Sequence, residues 1–244
     1  MSSIEGKKVV VVGGSSGIGL ASAKALAAAG ARVLLASRSL GKLNEARRFI
    51  ETALETPIET HRVDIMSEES IERLFEAVGS LDHLVITASE AAMGRFREID
   101  TADARRFFDS KFWGPYSVAR RAAPQIRHGG SITFFSGAAG SRASPGFSCG
   151  SAINAAVEAL SRTLAVELAP VRVNTISPGL VETPVWETIL PAAERDALFA
   201  DTAAKLPAGR IGRPEEIADA VLFLIRNAYT TGTTLFVDGG YRHM

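Results

Sequence analysis

Val9-Val10-Val11-Val12 runs directly into Gly13-Gly14-Ser15-Ser16-Gly17-Ile18-Gly19, and this junction constrains the fold more than any other stretch of the chain. Four consecutive β-branched residues leave no polar face, so the strand they form is buried on both sides, as in a parallel sheet covered by helices. The glycines permit a tight turn, and the alanine-rich stretch 19–30 reads as a helix ending at Gly30. A strand, a glycine turn and a helix in this order bring backbone N–H groups to a diphosphate at the positive end of the helix dipole. The residues assigned to that cradle are Gly13, Ser15, Ser16, Gly17, Ile18 and Gly19. A plain glycine-rich turn is the competing reading of the same residues.

Short apolar runs recur at 32–36, 81–87, 131–135, 172–176 and 234–237, separated by stretches of helical periodicity such as 67–78 and 154–168. That alternation means βαβ units, hence an α/β, doubly wound parallel sheet in three layers, the Rossmann arrangement. No repeat or disordered linker interrupts it, so residues 1–244 read as one dinucleotide-binding domain. The one long irregular stretch, 184–209, reads as a lid-like insertion. Lys plus Arg and Asp plus Glu are both 27, so no field of one sign favours nucleic acid or an anionic membrane, and a small-molecule ligand is expected. The longest apolar runs fall far short of the roughly 18 residues of a membrane span. No metal-binding cluster is visible. Cys149 is the sole cysteine and no secretory apolar region follows Met1, so a cytoplasmic location is expected.

The end of the second strand speaks to the choice of dinucleotide. An NAD(H) site usually carries an acidic residue there, on the ribose hydroxyls. This chain has Ser37-Arg38-Ser39 instead, and the planar fork of Arg38 suits a 2′-phosphate, so NADP(H) is expected over NAD(H). Asp64, followed by Ile65, ends a further strand where the adenine is met, although the same carboxylate suits a helix cap.

Together these residues resemble the short-chain dehydrogenase/reductase family along nearly the whole chain. The glycine turn is similar to the family's Thr-Gly-x-x-x-Gly-x-Gly, with Val12 at the threonine. The segment 174–183 resembles its Asn-x-x-x-Pro-Gly-x-x-x-Thr, and 209–217 and 237–240 resemble its C-terminal signatures. The resemblance implies a seven-stranded sheet and an oxidoreductase. It also implies Ala88, Pro178, Gly179, Val181 and Thr183 at the cofactor, and a homotetramer or homodimer built through 154–168. In the family a serine, a tyrosine and a lysine, with an asparagine behind them, move the proton that accompanies hydride transfer. The matching positions here are Gly137, Gly150, Asn154 and Lys111, and the family's Asn-Asn-Ala-Gly turn reads Ile86-Thr87-Ala88-Ser89. Glycine supplies no proton and asparagine no positive charge, so that relay is expected to be absent.

Three functions follow from this reading: a non-catalytic NADP(H) sensor, regulatory protein or silent partner subunit; a reductase with a rebuilt site; and hydride transfer to an activated C=C or C=N bond that needs little help from an acid. For a rebuilt site the candidates are Lys111 and Ser136, then Ser148, Cys149, Ser151 and Arg142. A desolvated lysine can act as acid or base, whereas a helix-surface lysine is the plain alternative. Cys149 reads more simply as a small buried hydrophobe, and His61, His83, His128 and His243 as surface or strand-edge residues. Trp186, with Ile189, Leu190, Phe199 and Leu206, suggests an apolar ligand under the lid or, more simply, helix packing.

Overall fold

The computed structural model describes residues 2–244. Seven strands, β1 (Lys8–Val12), β2 (Arg32–Ser37), β3 (Glu59–Arg62), β4 (Leu81–Ile86), β5 (Ile126–Phe135), β6 (Arg172–Pro178) and β7 (Thr234–Val237), form one sheet ordered β3-β2-β1-β4-β5-β6-β7. Every neighbouring pair is parallel, with Val9 beside Val33 on one side and His83 on the other. The helices between them are α1 (Gly17–Ala28), α2 (Leu40–Leu54), α3 (Glu68–Val78), α4 (Thr101–Phe108), α5 (Gly114–Ala122), α6 (Ser148–Glu167), α7 (Ala192–Lys205) and α8 (Pro214–Arg226).

Alternation along β1 produces the three layers. Val9 and Val11 pack with Leu26 of α1, Leu43 and Ile50 of α2, and Val221 and Leu224 of α8. Val10 and Val12 point the other way, to Leu74 and Phe75 of α3, Val118 of α5 and Val157 of α6. All four valines are fully buried, each contributing about 1.5–3 kcal/mol relative to an exposed side chain, and this is why the run carries no polar residue. Ser39, Ser67 and Asp100 accept first-turn N–H groups and thereby start α2, α3 and α4 at fixed points.

Several expectations are corrected. The strand expected before Asp64 is present as β3, a short edge strand of Glu59-Thr60-His61-Arg62, half in water and without an apolar run. The stretch 184–209 is mostly regular: a 3-10 turn at Pro184–Thr188 and then the 14-residue helix α7. Its helical character is masked because α7 buries little, Thr202 being its one buried residue. The helix expected over 154–168 starts earlier, at Ser148, and β5 begins at Ile126 rather than 131. His83 is no surface residue: it lies within the sheet, 6% exposed, with its Nδ1 2.9 Å from Ser131 Oγ.

Candidate functional site

Strand order reverses at β1, whose neighbours β2 and β4 leave in opposite directions, and the chain therefore parts at the carboxyl ends of β1 and β4. A cleft of about 440 Å³ opens there. Val12 and Gly13 at the end of β1, Ser37 to Ser39 at the end of β2, Val63 to Met66 after β3, and Thr87 to Glu90 after β4 form one part of its wall. Phe135 and Ser136 at β5, Pro178 at β6, and Thr183, Pro184, Val185 and Thr188 form the other, with Lys111 between.

The glycine turn is shaped by close approach. At Gly13, φ is +93°, and a Cβ would stand 2.5 Å from both Ala88 N and Thr87 Oγ1, so the β1 turn lies hard against the β4 turn. Gly17 opens α1 at φ +50°, with Thr183 across the cleft. Ser16 at the N-cap makes no side-chain hydrogen bond, and the first bond of the helix runs from Leu20 N to Ser16 O. The N–H groups of the first turn are thus left without side-chain partners at the cleft wall, where an anion is favoured. Ser37 Oγ is buried without a hydrogen-bond partner at the same wall, a polar atom that a ribose would satisfy. These features fit a dinucleotide, and of the residues expected to hold it Gly13, Ser15 to Gly19, Ser37, Arg38, Asp64, Ile65, Ala88, Pro178 and Thr183 all line the cleft.

Two expected contacts lie behind that wall. A Cβ on Gly179 would meet Asp238 O at 2.7 Å, so this glycine serves the packing of 237–240 against the end of β6. Val181 is buried, bridges Gly212 and accepts the indole N–H of Trp186 at 2.9 Å. Both therefore position Pro178 and Thr183 without lining the cleft. Asp64 turns the chain locally, its Oδ1 accepting from Met66 N at 3.0 Å, while Ser67 caps α3.

Lys111 sits in a π-helical turn, Asp109–Trp113, that joins α4 to α5, a departure from α geometry concentrated at functional sites. Its ammonium reaches 3.5 Å from the Ser136 carbonyl and, among the described residues, has no carboxylate partner. Burial lowers its pKa to about 8. Ser136 lines the cleft, but its hydroxyl donates to the buried Glu158 carboxylate at 2.8 Å, so it has no proton to offer a substrate oxygen in this arrangement. Gly137, Gly150 and Asn154 do not line the cleft. A Cβ on Gly137 would stand 3.0 Å from Asn154 Nδ2, so a small residue there accommodates the asparagine, whose buried Oδ1 lacks a partner. Ser148, Cys149, Ser151 and Arg142 are likewise off the cleft, and Arg142 instead lies over the ring of Tyr241. Trp186 packs edge-to-face on Phe199 at 6.0 Å, the plainer of its two readings.

Sequence reasoning missed Glu90, Lys42 and Glu158. Glu158 was within reach, since it lies four residues after Asn154 on the same helix face. Glu90 belongs to an irregular segment after β4 where no periodicity applies.

Among the described residues, no helix is long and apolar enough to cross a membrane, and no group of three or more His, Cys, Asp or Glu could hold a metal ion. Sheet order, reversal point and glycine turn define a Rossmann-type α/β protein. A family model described as enoyl-(acyl carrier protein) reductase matches residues 12–242. The chain is 35% identical to short-chain dehydrogenase/reductase ATR9 of Stachybotrys chlorohalonatus, with 98% of each covered. A solved small-chain dehydrogenase in complex with NADPH is 37% identical with a TM-score of 0.82, covering 98% of this chain and 99% of that one. L-sorbose reductase from Gluconobacter frateurii, complexed with NADPH and L-sorbose, is 29% identical with a TM-score of 0.90, covering 99% and 98%. The chain belongs to the short-chain dehydrogenase/reductase family.

Proposed function

We propose that this chain is an NADP(H)-dependent oxidoreductase in which the family's serine, tyrosine and lysine relay is replaced, with Lys111 as the proton source. The observation that carries the reading is a half-buried lysine without a carboxylate partner lining the cleft beside Ser136. Arg38, after β2, would hold the 2′-phosphate, the first turn of α1 the diphosphate, and Pro178 and Thr183 the nicotinamide end. Bound there, the reduced cofactor would supply a hydride. The chain's own part is to hold a proton at Lys111 Nζ and release it to an oxygen or nitrogen that gains negative charge. Glycine at 137 and 150 and asparagine at 154 supply neither proton nor positive charge. Substrates whose reduction needs little acid help, such as imines and enones, suit such a site best.

The chain would act without a bound metal, on a small and partly apolar ligand bordered by Phe135, Val185 and Pro184. The outer face of α6 leaves Ala155, Ala159 and Val166 exposed at helical spacing around a single charge, Arg162, which supports a homodimer or homotetramer built through this helix.

The test is calorimetric titration with NADPH and NADH, followed by NADPH oxidation against a panel of carbonyls, imines and enones at pH 6–10. Lys111 must be protonated to act as an acid, so turnover should fall as pH rises through about 8. Lys111→Met should lower it by on the order of 100-fold or more without weakening NADPH. Tight NADPH binding with no turnover across the panel would leave the sensor or silent-subunit reading in its place.

A further inference from the structure

Three charged side chains from three different elements meet at the mouth of the cleft. Arg38 follows β2, Glu90 follows β4, and Arg106 belongs to α4. Arg38 makes one contact with the carboxylate, Nη1 to Oε1 at 2.6 Å. Arg106 grips both oxygens, Nε to Oε2 at 2.7 Å and Nη2 to Oε1 at 3.2 Å. The backbone of Glu90 is itself held, its N–H donating to Ser110 Oγ at 3.1 Å. The hydrogen bond from Arg106, with that from Arg38, lowers the Glu90 pKa to about 2, so the group is a carboxylate at any physiological pH. Lys42, in the first turn of α2, lines the same wall and among the described residues has no carboxylate partner.

Arg38 is thus already bonded to an anion, and that anion is part of the protein. We propose that Glu90 is an internal counter-anion of the 2′-phosphate subsite, displaced from Arg38 onto Arg106 when NADP(H) binds, and that it lowers the preference for NADP(H) over NAD(H). This rests on the assignment of Arg38 to the 2′-phosphate. The asymmetry of the contacts gives the direction of the exchange. One hydrogen bond must break to release Arg38, while the two-point grip of Arg106 keeps the displaced carboxylate neutralised. A ligand without a 2′-phosphate needs no such exchange, so Glu90 weakens only the phosphorylated form. Lys42 remains as a second cation for the phosphate.

Calorimetry with adenosine 2′,5′-bisphosphate and adenosine 5′-monophosphate isolates this subsite from the nicotinamide end and from any turnover. Glu90→Gln should tighten the bisphosphate about ten-fold and leave the monophosphate within two-fold. Arg106→Ala should weaken the bisphosphate several-fold, because the displaced carboxylate then has no partner, and Glu90→Gln added to Arg106→Ala should restore it. That restoration separates a holding role for Arg106 from a general loss of positive charge. If Arg38→Ala weakens the bisphosphate and Glu90→Gln leaves it unchanged, or moves both ligands equally, the counter-anion is wrong while the 2′-phosphate assignment survives. If Arg38→Ala moves both ligands alike, the assignment and the inference fall together.

Discussion

His83 stands in β4 beside Ser131 of β5, enclosed by the sheet and its covering helices. Burial, aided by the positive charge of Arg172, lowers its pKa from 6.5 to about 4, so the folded protein holds it neutral. Between those two values the unfolded chain binds a proton that the folded chain refuses, and stability is lost as pH falls through that window. The depression is worth about 3 kcal/mol once both states are fully titrated, and nothing is lost above pH 6.5. Urea denaturation of the wild type between pH 7 and pH 4 should show this slope, and His83→Gln should flatten it even if it lowers stability at pH 7. A wild-type curve that is level across the window would refute the buried neutral imidazole. At the same scale, Ser136 shows why residue type alone misleads: a serine in a cleft looks like a donor until its partner, Glu158, is known.

At the scale of elements, α8 depends on β6. Arg172, the first residue of that strand, is buried and donates to Leu224 O at 2.7 Å, Ile225 O at 2.9 Å and Thr230 O at 3.1 Å. These include carbonyls of the last turn of α8, which have no partner within the helix, and the positive charge also suits the negative end of its dipole. Arg172→Met should leave those carbonyls unpaired and cost on the order of 3 kcal/mol. Lys cannot reproduce the fork, so Arg172→Lys should recover only part of this in thermal or urea unfolding. A loss under about 0.5 kcal/mol for the methionine variant would mean that water replaces the guanidinium. The helix also explains a feature of the chain's end: 209–217 and 237–240 pack behind the loop after β6 through Gly212 and Asp238 and so hold Pro178 and Thr183 at the cleft.

Taken whole, the molecule leaves the outer face of α6 without cover. On α6, Val157 and Ile153 pack on the sheet, whereas Ala155, Ala159 and Val166 face outward, with Arg162 the one charge among them. Sedimentation of the wild type should therefore give a dimer or tetramer, and Ala159→Arg should shift it to monomer while NADPH affinity stays within about two-fold. A wild type that sediments as a monomer at micromolar concentration would remove α6 as an interface. The Rossmann frame itself does not depend on that outcome, because both cores close within one chain.

The order of strands and helices was legible because local rules carry it. A fully apolar run, a glycine turn and an alanine-rich helix are short-range signals, and the wall of the cleft from Gly13 to Gly19 follows from them. Of the edge strand β3 only the end near Asp64 was legible, and the helix α7 was not, since each buries too little to impose a period on its residues. The Arg38, Glu90 and Arg106 cluster was also invisible: 52 residues separate the first pair and 16 the second, and only the return of β2 and β4 to the same edge brings them together. Sequence alone determined which backbone shapes were available and which residue types stand at 111, 137, 150 and 154. Tertiary structure decided which charges meet, which hydroxyl is already bonded and which lysine loses its water, because each depends on neighbours that are distant along the chain.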